Sequence, residues 1–421
     1  MKKLHVKRWL CVGLSVLFFF MFATPSHASY QCLRLDGNGY VSIADASTAG
    51  LDMGLSDFMV EARIKSASTS LGQIISKYGV DGAGYQVRMD DDGDFHGTIR
   101  EGANIVGHSI TANLNDDSWH DIVLVFDRSG TMHFFKDGVT LGVSASIAAV
   151  GNIDTTGNFI VGQVVGAQYF IGLIDCVRVW NFGYNGLPAD YAAYITWRAQ
   201  GRNVFLDISE YSAGAWNGYA DAVRTEVLTD PGLENWTGDA LDDWTEYGES
   251  AGVRDITDEQ VVVHGGSHAA KFEVTNNDGT SFNIRQNLVL SAGKYYSVSI
   301  WYHFPTRTAG GLWGGVWDTA WHQPVNTTST TVDWTYGEIV WVYGGGAVYI
   351  QEHFYNETTT GILYLDDFSI KRVGLVAHYK FEGDYTDETS NSNDLTAGGT
   401  GNTFPGYTLK REKIISPAWV R

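Results

Sequence analysis

The sequence predicts an all-β protein built from β-sandwiches. Short runs rich in Val, Ile, Tyr, Phe and Trp alternate along the chain with clusters of Gly, Asn, Asp, Ser and Thr, a pattern typical of strands joined by tight turns. The chain holds 49 glycines and 7 prolines, and a helical pattern is found only at residues 188–201. Its 421 residues exceed one ordinary domain and indicate two or three.

Residues 1–28 have the features of a secretory signal peptide. The basic start MKKLHVKR precedes an apolar run, and Ser26 and Ala28 fit the small-x-small pattern of a cleavage site after Ala28. The apolar run is about fifteen residues, shorter than the roughly 20 that a membrane span needs. We therefore expect a secreted, extracellular protein with no membrane insertion after signal cleavage.

The chain is strongly acidic, with a formal net charge of −20 and a pI near 4.8. A surface of this charge repels polyanions and anionic membranes. We therefore expect no nucleic-acid partner.

The first domain is predicted at residues 30–183, where strand-like runs recur between turns such as DDDGD and KDGV. LRLDGNGYVSIAD, SDFMVEARIK, SWHDIVLVFDRSGTMHFFKDGVTLG and GLIDCVRVWN follow one another in order. This series resembles the laminin-G-like, concanavalin A-like jelly rolls. The most specific part of the resemblance is the SWHDIVLVFD…FFKDG stretch.

Two cysteines, Cys32 and Cys176, remain after the signal peptide. An even pair in an exported chain predicts one disulfide, and two buried free thiols are the alternative. The resemblance implies that the first and last strands of the domain are neighbours in one sheet, and so it implies that these two cysteines form the bond.

No catalytic pair is apparent in the first domain. Glucanases of related fold carry a Glu-x-Asp-x-x-Glu arrangement, which places two carboxylates on one face of a strand. Residues 30–183 contain no such motif, and their acidic clusters lie at turns. We therefore expect that the protein is not an enzyme.

The second domain is predicted at residues 227–373, after a linker at 184–226. LTDPGLENWTGDALDDWTEYG, HGGSHAAKFEV, IRQNLVLSAGKYYSVSIWYHF and ILYLDDFSIKRV together resemble the carbohydrate-binding modules of families 4 and 9, which are galactose-binding-like jelly rolls. Leu233 stands where the family usually has an aromatic residue. The resemblance implies a structural calcium ion, held by Glu234 and Asp366 where the opening and closing motifs meet. The alternative is a pair of carboxylates satisfied by backbone amides.

The stretch GGLWGGVWDTAWHQP, residues 310–324, is rich in tryptophan and glycine. Read as a strand, it places Trp313 and Trp317 on one face, with Trp321 in the loop that follows. Aromatic faces suit the C–H patches of a pyranose ring, and neighbouring polar side chains suit its hydroxyls. We therefore predict a sugar-binding surface, with Trp313 as the tryptophan that most resembles a core residue. Its polar candidates are His322, Gln323, Asn326, Gln351 and His353, whereas Trp301 and Trp341 are predicted to be core.

The tail, residues 374–421, begins with GLVAHYKFEGDYTDETSNSNDLTAGG, which resembles the strand and loop that precede the LRLDG strand of a laminin-G-like domain. It is too short for a complete sandwich. It is either a partial third laminin-G-like segment or a return of the chain to the first domain. The predicted fold is thus two β-sandwich jelly rolls in tandem, with this partial segment at the C-terminus.

These features predict a secreted, non-catalytic protein that binds polysaccharide or cell-surface glycan. Two alternatives remain open at this point. One is a glycoside hydrolase or lyase with a site that the sequence does not reveal. The other is a structural or adhesion protein that binds protein partners.

Overall fold

The computed structural model describes residues 30–48, 50–164, 167–201, 219, 226–276, 280–307, 311–327, 332–355, 360–389 and 391–407. The predicted signal peptide and most of the predicted linker lie outside these ranges. Within them, no helix combines the length and the apolar character that crossing a membrane requires. The chain divides into one compact unit at 31–405 and another that contains both chain ends. In the latter the structure describes Tyr30 and residues 406–407.

The first sandwich contains two sheets, and the all-β prediction is confirmed. A short strand, β1 Tyr30–Gln31, comes first in the chain. The strands of the first sandwich that follow it are β2 Leu33–Asp36, β3 Gly39–Ile43, β4 Asp57–Lys65, β5 Gly72–Tyr78, β6 Gly84–Met89, β7 Phe95–Glu101, β8 Asn104–Ile110, β9 Trp119–Phe126, β10 Thr131–Lys136, β11 Val139–Ser146, β12 Phe159–Val161 and β13 Ile171–Gly183. Sheet A has the order β11-β10-β9-β4-β13-β2, and sheet B contains β3-β12-β5-β6-β7-β8.

The second sandwich follows helix α1, Tyr191–Gly201, which lies within the predicted helical segment. Its strands are β14 Trp236–Thr237, β15 Ala240–Leu241, β16 Thr245–Tyr247, β17 Arg254–Glu259, β18 Ala269–Val274, β19 Phe282–Asn287, β20 Tyr295–Arg307, β21 Gly311–Trp317, β22 Trp321–His322, β23 Asn326–Thr327, β24 Val332–Val342, β25 Tyr349–Tyr355 and β26 Gly361–Arg372. Sheet C has the order β16-β19-β25-β21-β22, with β23 also on β21, and sheet D has the order β17-β18-β26-β20-β24. An apolar core fills the space between sheets C and D.

The tail belongs to the first sandwich and is not a partial third segment. Its strands are β27 Gly374–Tyr379, β28 Thr396–Gly399 and β29 Gly406–Tyr407. β2 pairs with the first part of β13 and β27 pairs with the later part, so the tail covers an edge that β2 leaves bare. β28 extends sheet B beside β3, and β29 pairs with β1. The second sandwich is therefore inserted within the chain of the first, which corrects the tandem arrangement.

A third apolar cluster joins the two sandwiches. Tyr219, from the predicted linker, stacks on Tyr295 of β20 with ring centroids 4.0 Å apart. Part of the linker is therefore packed between the sandwiches and does not serve as a free spacer. Buried members of this cluster on β13 and α1 are Trp180, Phe182, Tyr194 and Ile195.

Cys32 and Cys176 are free and buried, so the disulfide prediction is wrong in this structure. β2 and β13 are neighbours, as the resemblance implies, but their register ends with Leu33 opposite Ile174. Continued by one residue, this register places Cys32 opposite position 175, so the two cysteines are not aligned. The Cys176 thiol instead lies 3.6 Å from His378 Nε2. Burial raises the pKa of both thiols to about 12, so neither is a reactive thiolate at neutral pH.

Candidate functional site

Sheet C has one apolar side in the core and one aromatic side that is partly open to solvent. On β21, Leu312 and Val316 are fully buried in the core. Trp313 and Trp317 alternate with them and are half-buried. The predicted alternation of this strand is therefore confirmed. The expectation that Trp313 is the most core-like of the three tryptophans is not confirmed, because Trp313 lies on the same side of the strand as Trp317.

Trp321 is the central ring of this side of the sheet. It pairs in register with Trp317, and their ring centroids lie 5.3 Å apart. Its ring also lies 4.6 Å from that of Trp313, 6.0 Å from Tyr349 and 6.2 Å from His353. These five side chains, here named the aromatic face, form one continuous surface across β22, β21 and β25.

Gly315 explains why glycines separate these tryptophans. Its φ of +135° suits glycine, and a Cβ at this position would lie 2.1 Å from the carbonyl oxygen of His322. Only a residue without a side chain allows the 322–324 segment to approach so closely. The glycines are therefore required for the returning segment that carries Trp321.

Polar side chains border the aromatic face on β25 and β19. Gln351 Nε2 donates to His353 Nε2 over 2.7 Å. Burial lowers the pKa of His353 to about 4, so its ring is neutral at physiological pH and can accept this hydrogen bond. Arg285 lies over the ring of Tyr349, with its Cζ 3.6 Å from the ring centroid, and its Nη2 donates to Asn287 Oδ1 over 3.2 Å.

The structure thus brings together Trp313, Trp317, Trp321, Gln351 and His353 of the predicted site. It does not bring His322 to them. His322 pairs in register with the buried Val316, and its ring stacks on Trp341 at 5.6 Å.

Gln323 follows directly after β22 and is half-buried, and its Cα lies close to Gly315. Asn326 pairs in register with Trp313. The backbone of both residues therefore lies near the aromatic face.

The two tryptophans predicted to be core differ in outcome. Trp341 is buried, at 5% exposed, as predicted. Trp301 is half-buried on the outer side of sheet D, where its ring stacks on His264 at 3.8 Å. Its strand alternates as expected, but an alternating pattern does not reveal which side faces the core.

Arg285, Asn287 and Tyr349 belong to this site but were not among its predicted residues. The run VYIQEHF could have indicated Tyr349, because it alternates with core residues and so shares one side of the strand with Gln351 and His353. Arg285 lies opposite Gln351 in register, which follows from strand pairing and not from local sequence.

Glu234 and Asp366, the predicted calcium ligands, both bind the loop that precedes β18. Glu234 accepts the backbone N–H of Ser267 at 2.9 Å, and Asp366 accepts that of His264 at 2.8 Å. Burial raises the pKa of Asp366 to about 6. Among the described residues, no group of three or more His, Cys, Asp or Glu side chains is arranged to hold a metal ion. Both carboxylates thus have amide donors, and calcium at this place stays a prediction.

Chelation tests that prediction directly. If Glu234 and Asp366 hold calcium, a chelator lowers the melting temperature of the protein, because an ion that binds only the folded state stabilises it by mass action. Asp366→Ala is then expected to abolish this sensitivity. A melting curve that chelator leaves unchanged would instead favour carboxylates satisfied by backbone amides alone.

Glu352 is a buried carboxyl group beneath the aromatic face. It is fully buried on the core side of β25, opposite Gly314, where a Cβ would lie 2.6 Å from its Oε2. Among the described residues, neither of its carboxyl oxygens has a hydrogen-bond partner. Burial raises its pKa well above the usual value for glutamate.

Replacing Glu352 with methionine is expected to stabilise the fold by about 1–3 kcal/mol, the usual cost of burying a polar group without a partner. The folded pKa is raised, so stability from this group is present below the unfolded pKa of about 4.3 and is lost as pH rises from there. Glu352→Gln, the matched control, removes this loss while keeping a polar group. Unfolding at several pH values measures both effects, and a destabilised methionine variant would contradict the account.

Sequence similarity covers the N-terminal part of the first sandwich. Residues 35–184 match the Laminin_G_3 description of the concanavalin A-like lectin/glucanases superfamily. This match agrees with the resemblance found in the sequence for the first domain. No curated protein matches the sequence of the chain.

Several solved structures resemble parts of the chain, and each covers less than half of it. A family 61 carbohydrate-binding module in complex with β-1,4-galactotriose is 22% identical, covers 35% of this chain and 99% of its own, and has a TM-score of 0.29. A putative carbohydrate-binding protein from Bacteroides ovatus is 20% identical, with coverages of 38% and 46% and a TM-score of 0.29. A pentraxin from Limulus polyphemus is 15% identical, with coverages of 41% and 82% and a TM-score of 0.31.

Proposed function

We propose that this protein is a secreted, non-catalytic carbohydrate-binding protein that holds polysaccharide or cell-surface glycan on the aromatic face of sheet C. The observation that carries the proposal is the continuous surface of half-buried rings centred on Trp321. Core tryptophans such as Trp341 are almost fully covered, whereas Trp313, Trp317 and Trp321 keep part of their surface in water.

The chemistry of this surface suits a sugar. A pyranose ring presents C–H groups to an aromatic ring and hydroxyl groups to polar neighbours. Gln351, Arg285 and Asn287 offer amide and guanidinium groups at the border of the rings. The resemblance of residues 227–373 to carbohydrate-binding modules of families 4 and 9 supports the same function, as does the concanavalin A-like match of the first sandwich.

A glycan array combined with a reducing-sugar assay tests the proposal on one sample. We expect the full chain to bind at least one polysaccharide and to release no reducing sugar from it. Release of sugar would overturn the non-catalytic part and favour a hydrolase. A chain that binds no glycan would overturn the proposal itself and favour the protein-binding alternative.

A further inference from the structure

Arg285 brings a positive charge to the aromatic face. On β16, β19, β25, β21 and β22, none of the side chains that point to this side of sheet C is Asp or Glu. His353 is neutral at physiological pH because burial lowers its pKa to about 4. Arg285 is therefore the one charged side chain that these five strands contribute to this side.

The guanidinium of Arg285 is held in place but is not neutralised. It stacks on Tyr349 at 3.6 Å, which fixes its plane. Among the described residues, its hydrogen-bond partner is the neutral Asn287, and no carboxylate lies within 4.0 Å of its nitrogens. Arginine has five N–H donors, so several remain available to a ligand.

This arrangement is unusual for the composition of the chain. Acidic residues outnumber basic ones by 48 to 28, and yet β16, β19, β25, β21 and β22 contribute no acidic side chain to the side of sheet C that carries Arg285. A neutral sugar laid over this surface would offer hydroxyl oxygens as acceptors but no countercharge to the guanidinium, and removing water from an unpaired charge is costly. A carboxylate would supply the countercharge and match the planar guanidinium with two parallel hydrogen bonds.

We propose that the aromatic face recognises acidic polysaccharide, with a uronic acid carboxylate bound by Arg285 and sugar rings stacked on Trp317 and Trp321. This inference rests on the proposed function and names the class of glycan. Register places Arg285 opposite Gln351 and next to the row that contains Tyr349 and Trp317, so the cation and the rings border one surface. The net charge of −20 opposes the long-range approach of a polyanion, but charges beyond about 8 Å are largely screened at physiological salt, whereas the Arg285 contact is direct.

The test compares each acidic polysaccharide with its own neutral form. The probes are polygalacturonate and alginate, beside the same polymers after chemical reduction of their carboxylates to alcohols. We expect the full chain to prefer an acidic form over its reduced form by about tenfold or more, which corresponds to about 1.4 kcal/mol. Arg285→Gln is expected to lose this preference, and Arg285→Lys to retain part of it because the charge remains but the planar fork is lost.

Trp317→Ala separates this inference from the proposed function, because it is expected to weaken binding to acidic and reduced forms alike. Equal binding of both forms by the unmodified chain would overturn the acidic preference and leave glycan binding intact. Binding confined to sulfated polysaccharide would also overturn it, since it assigns Arg285 to a carboxylate. Absence of binding to any glycan would instead overturn the proposed function. Thermal unfolding checks the fold of each variant, and the comparison of acidic with reduced polymers requires no variant at all.

Discussion

Tyr379→Ala is expected to destabilise the first sandwich by about 3–5 kcal/mol, the range for removing a buried aromatic ring. Tyr379 lies on β27 in the C-terminal tail and is fully buried in the core of the first sandwich. Its ring is 6.2 Å from that of Phe159 and 6.1 Å from that of Phe381. Its hydroxyl donates to the carbonyl oxygen of Asn393 over 2.8 Å. Tyr379 follows the second sandwich in the chain, and yet the first sandwich, which begins before the second, requires it.

Tyr379→Phe is the matched control, because it removes the buried hydrogen bond and keeps the ring. We expect it to cost about 1 kcal/mol. Hydrogen exchange of the β13 and β3 amides, which pair with β27 and β28, assigns the change to the first sandwich. If Tyr379→Ala left the exchange of β13 unchanged, the tail would be independent of the first sandwich.

The strands that the sequence predicted are mainly those with a strongly apolar side. Runs such as FMVEARIK and HDIVLVFD lie on β4 and β9, which are central in sheet A. No strand was predicted at β7, which is mostly buried inside sheet B, or at β8, which lies at the edge of sheet B and is largely exposed. An edge strand is paired on one side and need not bury an alternating set of side chains, so its sequence resembles that of a loop.

Local alternation predicted which tryptophans share a side but not which side meets the core. Trp313 and Trp317 share the open side of β21, as expected, but Trp301 lies on the outer side of sheet D against the prediction. The neighbouring glycines correctly indicated that Trp313 lies outside the core, because Gly315 leaves room for the close approach of the 322–324 segment. Trp301 has no such neighbours, and its exposure depends on strand packing far away in sequence.

The register between paired strands was the feature least predictable from the sequence alone. Cys176 is on β13, and Cys32 directly precedes β2, which pairs with β13, but an offset of one residue is enough to prevent their alignment. The same dependence on register hid Arg285, which meets the aromatic face through its pairing with β25. Fold class and the position of the tryptophan surface were thus predictable, whereas the polar border of the site and the disulfide pairing were not.

Alanine variants of Trp317 and Trp321 in the aromatic face, here called the platform variants, are expected to lose ligand binding and keep the fold. We expect Trp317→Ala and Trp321→Ala each to weaken glycan binding by about 1–3 kcal/mol, as for other stacking contacts on aromatic side chains, or roughly 5–150-fold. Trp321→Ala should have the larger effect, because this ring contacts Trp313, Trp317, Tyr349 and His353. Titration with the polysaccharide found on the array measures the loss.

Trp341→Ala is the matched control for these variants, because Trp341 lies in the core of the same sandwich at 5% exposed. Removing it should cost about 3–5 kcal/mol of folding stability, whereas Trp317 and Trp321 are half-buried and their removal should change the melting temperature little. The two kinds of site therefore separate by readout: one set of variants loses affinity at an unchanged melting temperature, and the other melts early. Early melting of both platform variants, with binding retained at low temperature, would assign these tryptophans to the support of the sheet and not to a ligand.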